Sequence, residues 1–192
     1  SSWKSPHMML GALLKNLYPK TKGIDPKDMF VVSIMPCTAK KVEIVKPENN
    51  TTGIPDVDAV LTTRECGRLI KMYGIDLKEL PDEDFDQDMY GEYTGAGVIF
   101  GVTGGVMEAA LRTVKEVLEK KPLEDVNFNV VRGLKGVKEA SLDIAGHTVN
   151  IAVTSSMQYA KPLLDDVRAG TSKYHFIEIM GCPGGCINGG GQ

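Results

Sequence analysis

Two apolar runs in this chain end in the same way. Met29-Phe30-Val31-Val32-Ser33-Ile34-Met35 is closed by Pro36 and followed by Cys37, and residues 174–180 are closed by Gly181 and followed by Cys182. A short, near-continuous apolar run bounded by turn-forming residues reads as a strand buried on both faces, as in parallel sheets covered by helices. In open sheets of that kind ligands sit beyond the carboxyl ends of the strands, which is where both thiols fall.

The rest of the chain is consistent with an α/β fold: a largely parallel sheet, or sheets, flanked by helices, with one β-hairpin. Residues 8–17 read as a helix with Met9, Leu10, Leu13, Leu14 and Leu17 on one face, interrupted after Gly23 and Pro26. Residues 58–61 read as a short strand, and Thr62 with Glu65 as a capping box opening a helix to about Met72. Residues 77–88 are acidic (Asp82, Glu83, Asp84, Asp86, Asp88) and read as a solvated loop. A helix from Thr103 carries Met107, Ala110, Leu111, Val114 and Leu118 on one stripe, with Arg112–Glu116 and Glu116–Lys120 spaced for ion pairs. A strand at 128–131 follows. Residues 137–144 and 148–153 alternate around Ala145-Gly146 as a hairpin, and a helix over 156–168 precedes the last strand. Length is enough for one large domain or two lobes.

A net charge of −3 excludes the basic excess of a nucleic-acid or anionic-membrane binder. The longest uncharged stretch, Tyr93 to Met107, is fifteen residues diluted by Gly and Thr, and a membrane-crossing helix needs about 20 apolar ones. The first residues lack the basic-then-apolar layout of a signal peptide and do not start with Met, so a piece of a longer chain is expected. Four cysteines are too few for a disulfide scaffold and read as reduced thiols or metal ligands.

Cys186 lies four residues after Cys182. If that turn is helical the two thiols share a face about 6 Å apart, which suits one iron–sulfur cluster; two buried cysteines or a zinc site are the competing readings. Six of the last twelve residues are glycine, leaving room for backbone to press against a bulky inorganic group and donate N–H groups to it. Lys40 and Glu43 follow Cys37 at +3 and +6, so a lysine able to hold an anion and a glutamate able to relay protons could face where the thiol faces, although the pair taken alone is an ordinary exposed one. Gly101-Val102-Thr103-Gly104-Gly105 before a helix is an anion-friendly N-terminus or a set of packing glycines. Met35 and Met180 each precede a cysteine by two residues; strand-ending methionines are usually core, though thioethers also line soft pockets around metals. Cys66, inside a helix, reads as a small buried hydrophobe, and His147 and His175 as structural.

Together these segments resemble the [FeFe]-hydrogenases, the iron-only hydrogenase large subunits. Met35-Pro36-Cys37-Thr38-Ala39-Lys40-Lys41-Val42-Glu43 is similar to the signature M-P-C-x-x-K-x-x-E, and Glu178-Ile179-Met180-Gly181-Cys182-Pro183-Gly184-Gly185-Cys186 to E-x-M-x-C-x-x-G-C. The stretches 58–65, 101–112 and 131–134 resemble family segments in the same order. The resemblance implies part of a two-lobed domain, residues 1–192, carrying an H-cluster: a [4Fe–4S] cubane joined through a thiolate to a diiron unit with CO, cyanide and a bridging dithiolate, for 2H⁺ + 2e⁻ ⇌ H₂. It implies Cys37 and Cys182 as cubane ligands, Cys186 as the bridge, and Lys40 as the donor to cyanide. Met35, Met180 and Phe100 would wall the pocket, and Glu43 and Ser1 would lie on the proton route. Implied partners are the remainder of the domain, ferredoxin or accessory iron–sulfur domains, and maturation proteins, in the cytoplasm or periplasm. The family's first signature, T-S-C-C-P, with the fourth cubane cysteine and a proton-relay cysteine, is not in this sequence, so a fragment inactive alone, or a split subunit, is expected. Trp3 stands where the family has a small residue and His7 where glutamine is common. A non-catalytic iron–sulfur assembly relative or a sensory paralogue is the alternative.

Overall fold

The computed structural model describes residues 3–50, 52–86, 91–122 and 136–192. Ser1, the end of the acidic loop at Asp88, the strand expected at 128–131 and the family-like stretch 131–134 lie outside them. The chain divides into two compact units, Ser1–Gly91 with Gly189–Gln192, and Glu92–Asn188.

In the first unit, α1 (Pro6–Asn16) starts at Ser5, whose hydroxyl accepts from the Met8 N–H, with Pro6 at the position where a missing N–H costs nothing. A short α2 (Tyr18–Lys22) ends at Gly23 in the left-handed region. Then β1 (Val32–Met35) pairs in parallel with β2 (Ala59–Thr62), Val32 opposite Ala59 and Met35 opposite Thr62. The link carries α3 (Lys40–Glu43). The expected capping box is present: the Thr62 hydroxyl accepts from the Glu65 N–H, Glu65 accepts from the Thr62 N–H, and α4 (Thr63–Met72) follows.

Burial departs from the periodicity in two places. The apolar stripe of α1 is not its buried face. Met9, Leu10, Leu13 and Leu17 are exposed, whereas Met8, Gly11 and Lys15 are buried. The cause is close approach: a Cβ at Gly11 would lie 2.5 Å from Val57 Cγ2 and 2.7 Å from the Asp56 carbonyl oxygen. Lys15 runs beneath to the Asp58 carboxylate, 2.8 Å away, and donates to the Met29 carbonyl; a buried ammonium needs such partners. Likewise β1 is buried on one face only. Met35 packs against the Met8, Val57 and Val60 cluster, while Phe30, Val32 and Ile34 are exposed: along β1 the face of Ser33 and Met35 is partly covered and the alternate face is open.

The second unit holds α5 (Gly95–Ile99), α6 (Gly105–Glu119) and a three-stranded sheet in the order β3-β4-β5. β3 (Val137–Ile144) and β4 (His147–Ser155) form the antiparallel hairpin, Ile144 opposite His147, with Ala145 and Gly146 both at positive φ. That two-residue turn matches the right-handed twist of the strands. α7 (Met157–Ala169) carries the chain to β5 (Phe176–Met180), parallel to β4. Met107 and Leu111 of α6 pack on Ile144, Ile151 and Val153 to make the core. The stripe fades along α6, where Val114 and Leu118 are exposed, and Arg112 reaches back to Glu108 at 2.7 Å. Among the described residues no helix is long and apolar enough to cross a membrane.

Candidate functional site

In the first unit Cys37 follows the carboxyl end of β1 through Pro36, as the apolar run predicts, and the next helix begins at Lys40. The tail closes over this corner. The Gly191 N–H donates to the Pro36 carbonyl at 2.8 Å, and a Cβ at Gly189 would lie 2.9 Å from the Cys37 Cα. Arg64 secures the tail from the other side, donating to the carbonyls of Gln192 at 2.7 Å and Gly190 at 2.9 Å. Gly189 therefore serves protein backbone meeting protein backbone, not the inorganic group anticipated from the glycine run.

One turn later Lys40 Nζ donates to Glu43 Oε2 at 2.7 Å. His7, on the first turn of α1, brings Nδ1 within 3.5 Å of the same carboxylate oxygen and within 3.4 Å of Ser5 Oγ. Burial pushes the Glu43 carboxyl up, but the hydrogen bonds from Lys40 and Ser5 and the charges of Lys40 and His7 outweigh it, leaving it below the usual carboxylate value. Burial pushes the His7 imidazole down; attraction to Glu43 opposes this, Lys40 reinforces it, and the net shift is downward. The His7 side chain is 5% exposed, and its Nε2 is buried with no hydrogen-bond partner.

In the second unit β5 delivers Met180, Gly181 and Cys182. Cys182 and Cys186 do not share a helical face: residues 182–185 form a turn with Gly184 and Gly185 at positive φ, and a 3₁₀ turn begins only at Cys186. The turn is interlocked with residues 101–103. Thr103 N–H donates to the Gly184 carbonyl and Ile187 N–H to the Gly101 carbonyl, each at 3.1 Å. A Cβ on Gly185, at φ +104°, would sit 2.6 Å from the Thr103 nitrogen and 2.7 Å from the Val102 carbonyl carbon. Cys186 Sγ lies 3.6 Å from Met180 Sδ.

Sequence reasoning gave Glu178 no role of its own, yet the structure gives it one. Its carboxylate accepts from the backbone N–H groups of Gly104 and Met107, both at 2.6 Å, at the start of α6. The anion invited by Gly101–Gly105 is thus a side chain of β5. Burial pushes the Glu178 carboxyl above its usual value, against the two N–H bonds that pull it down. The signal was an acidic residue inside the apolar run Phe176-Ile177-Glu178-Ile179-Met180, since a buried carboxylate must find donors.

Of the predicted site residues, the structure joins Lys40 to Glu43 and Met180 to Cys186. Cys37 belongs to the first unit and Cys182 and Cys186 to the second; none of the three is in a disulfide. Met35 is part of the first unit's core, Phe100 is half-buried at the end of α5, and Cys66 is half-buried on a helix with no buried residues. His175 is structural, its Nδ1 accepting from the Asn150 N–H at 2.9 Å. Among the described residues no three His, Cys, Asp or Glu side chains are grouped to hold a metal ion.

A strand-end cysteine followed by a lysine–glutamate pair, on a mixed α/β frame, is the setting of a domain that binds a ligand or cofactor beyond its strand ends. The family described as iron only hydrogenase large subunit, C-terminal domain, matches residues 1–190, and the chain belongs to it. It is 47% identical to iron hydrogenase 1 of Clostridium pasteurianum and 51% identical to the periplasmic [Fe] hydrogenase large subunit of Nitratidesulfovibrio vulgaris. Each match covers all of this chain, with 33% and 45% of the respective relative. A cytosolic Fe-S cluster assembly factor of Xenopus tropicalis is 30% identical over the whole chain and 41% of its own length. Among solved structures, [FeFe]-hydrogenase HydA1 of Chlamydomonas reinhardtii aligns with a TM-score of 0.78 at 39% identity, covering 100% of this chain and 56% of that one. The chain thus spans about a third to just over half of the proteins it matches.

Proposed function

We propose that this chain is the larger part of the H-cluster domain of an [FeFe]-hydrogenase that interconverts protons, electrons and H₂. The family implies iron–sulfur and H-cluster cofactors, and this chain carries part of the donor set they need. Cys37, Cys182 and Cys186 are in no disulfide, Lys40 stands next to a carboxylate that balances its charge, and His7 Nε2 is a buried polar atom without a hydrogen-bond partner among the described residues. Cys37 and Cys182 would ligate the cubane, and Cys186 would bridge it to the diiron unit. When bound, that cofactor supplies the electrons and the iron coordination at which H₂ is made or split.

The observation that carries the reading is the Lys40–Glu43 pair at 2.7 Å, three and six residues beyond a strand-end cysteine. Lys40 would donate a further hydrogen bond to a cyanide ligand while Glu43 balances its charge. Glu43, held ionised by Lys40, is suited to pass a proton at Oε2; Ser1 would extend that route. Met35, Met180 and Phe100 would wall the diiron unit with apolar surface, and in support of this Met180 already lies against the proposed bridging thiol. A plain cubane scaffold needs neither the lysine nor the relay.

The rest of the domain, a ferredoxin-type electron partner and maturation proteins are the partners this reading requires, in the cytoplasm or, as for one relative, the periplasm. The second reading, a non-catalytic assembly protein, is favoured by the 30% identity to an assembly factor over the whole chain. A sensory hydrogenase paralogue is a further form of the non-catalytic alternative. Infrared spectroscopy of the full-length protein, matured anaerobically with its diiron precursor, separates catalysis from scaffold. CO and cyanide bands are expected, and Lys40→Asn should lose them while keeping the cubane's paramagnetic signal. A wild-type cubane without CO or cyanide bands would establish the assembly reading.

A further inference from the structure

Among the described residues, His7 is a buried side chain beside the Lys40–Glu43 pair to which the proposed function assigns no contact with the cofactor. It is oriented from one side only. Nδ1 faces Glu43 Oε2 at 3.5 Å and Ser5 Oγ at 3.4 Å, while Nε2 is buried with no hydrogen-bond partner among the described residues. Buried ring nitrogens are almost always satisfied, and an unsatisfied one costs about 1–3 kcal/mol. A lone water is a poor remedy, since a buried water itself typically needs about three partners.

We propose that His7 is a cofactor-binding residue of this chain, held through Nδ1 by Glu43 and hydrogen-bonding through Nε2 to the anionic iron ligand that Lys40 serves. The inference rests on the hydrogenase reading. To donate from Nε2 while Nδ1–H faces Glu43 the ring must be an imidazolium; burial and the Lys40 charge disfavour that form in the chain alone, and the bound anion, with the Glu43 carboxylate, is what offsets the two cations, His7 and Lys40. The groups facing the ring are Glu43 and Lys40 from α3 and Ser5 at the cap of α1.

Amide side chains separate the two ring nitrogens, because the asparagine amide group reaches the place of Nδ1 and the glutamine amide group the place of Nε2. His7→Asn, His7→Gln and His7→Phe would be prepared in the full-length protein, matured as above and matched for iron content and cubane signal. His7→Asn and His7→Phe should shift the cyanide stretching bands from their wild-type positions, and His7→Gln should shift them far less. Bands in His7→Asn and His7→Phe that coincide with the wild type would overturn the assignment and leave His7 a structural residue satisfied by water. If His7→Asn does not fold, the His7→Phe and His7→Gln comparison decides on the same criterion. Absence of CO and cyanide bands in the wild type would instead overturn the hydrogenase reading, and this inference with it.

Discussion

At the residue scale, Glu178 shows how a buried charge sets geometry around a candidate ligand. It sits four residues before Cys182, and its two 2.6 Å bonds tie the end of β5 to the start of α6. Replacing it with alanine strands two buried N–H groups, so Glu178→Ala should cost about 3 kcal/mol or more in urea unfolding of the full-length protein. Glu178→Gln keeps one acceptor and turns the other into a donor facing a donor, and should cost less. The pH dependence has a defined sign. Because the folded carboxyl titrates above its ordinary value, the native state binds more protons in that window, and stability contributed by this group falls as pH rises through it. Glu178→Gln should flatten that slope, which a pH series of melting temperatures would detect. The sequence carries the residue as an acid inside the apolar run Phe176 to Met180, a signal that was not read, and its partners lie 71 and 74 positions away.

At the element scale, local chemistry and packing part company. The hairpin turn was legible because Ala145-Gly146 separates two alternating runs, and the observed turn places both residues at positive φ. Alanine pays for that conformation and asparagine pays less, so Ala145→Asn should stabilise the hairpin by up to about 1 kcal/mol, read as a rise in melting temperature. The capping box of α4 was equally legible, since its partners are three residues apart. The stripe of α1 was misleading. Periodicity identified an amphipathic helix but not which face docks, and Gly11, which lets the helix approach residues 56–57, overrode the larger apolar side chains. The Cys182–Cys186 turn failed for a related reason: a helical spacing can be occupied by a glycine turn whose shape is set by its contact with residues 101–103.

At the scale of the whole molecule, the exposed face of α1 (Met9, Leu10, Leu13, Leu17) is more apolar than a solvated surface helix requires, and the chain spans only part of each relative's length. On the proposed hydrogenase reading, the remainder of the domain would cover that face. Hydroxyl-radical footprinting should find Met9 oxidised more slowly in the full-length protein than in the 192-residue chain, and equal rates would contradict it. The amino-acid order alone established the α/β class, the thiols at two strand ends, the Lys40–Glu43 spacing and the family, because each is written in contacts or motifs a few residues long. The partner of α6's N-terminus, the docking face of α1, the close packing of Gly189 on Cys37 and the buried nitrogen of His7 depend on segments distant in sequence. They emerge only when backbone sterics and the need to satisfy buried polar groups are resolved together in the folded chain.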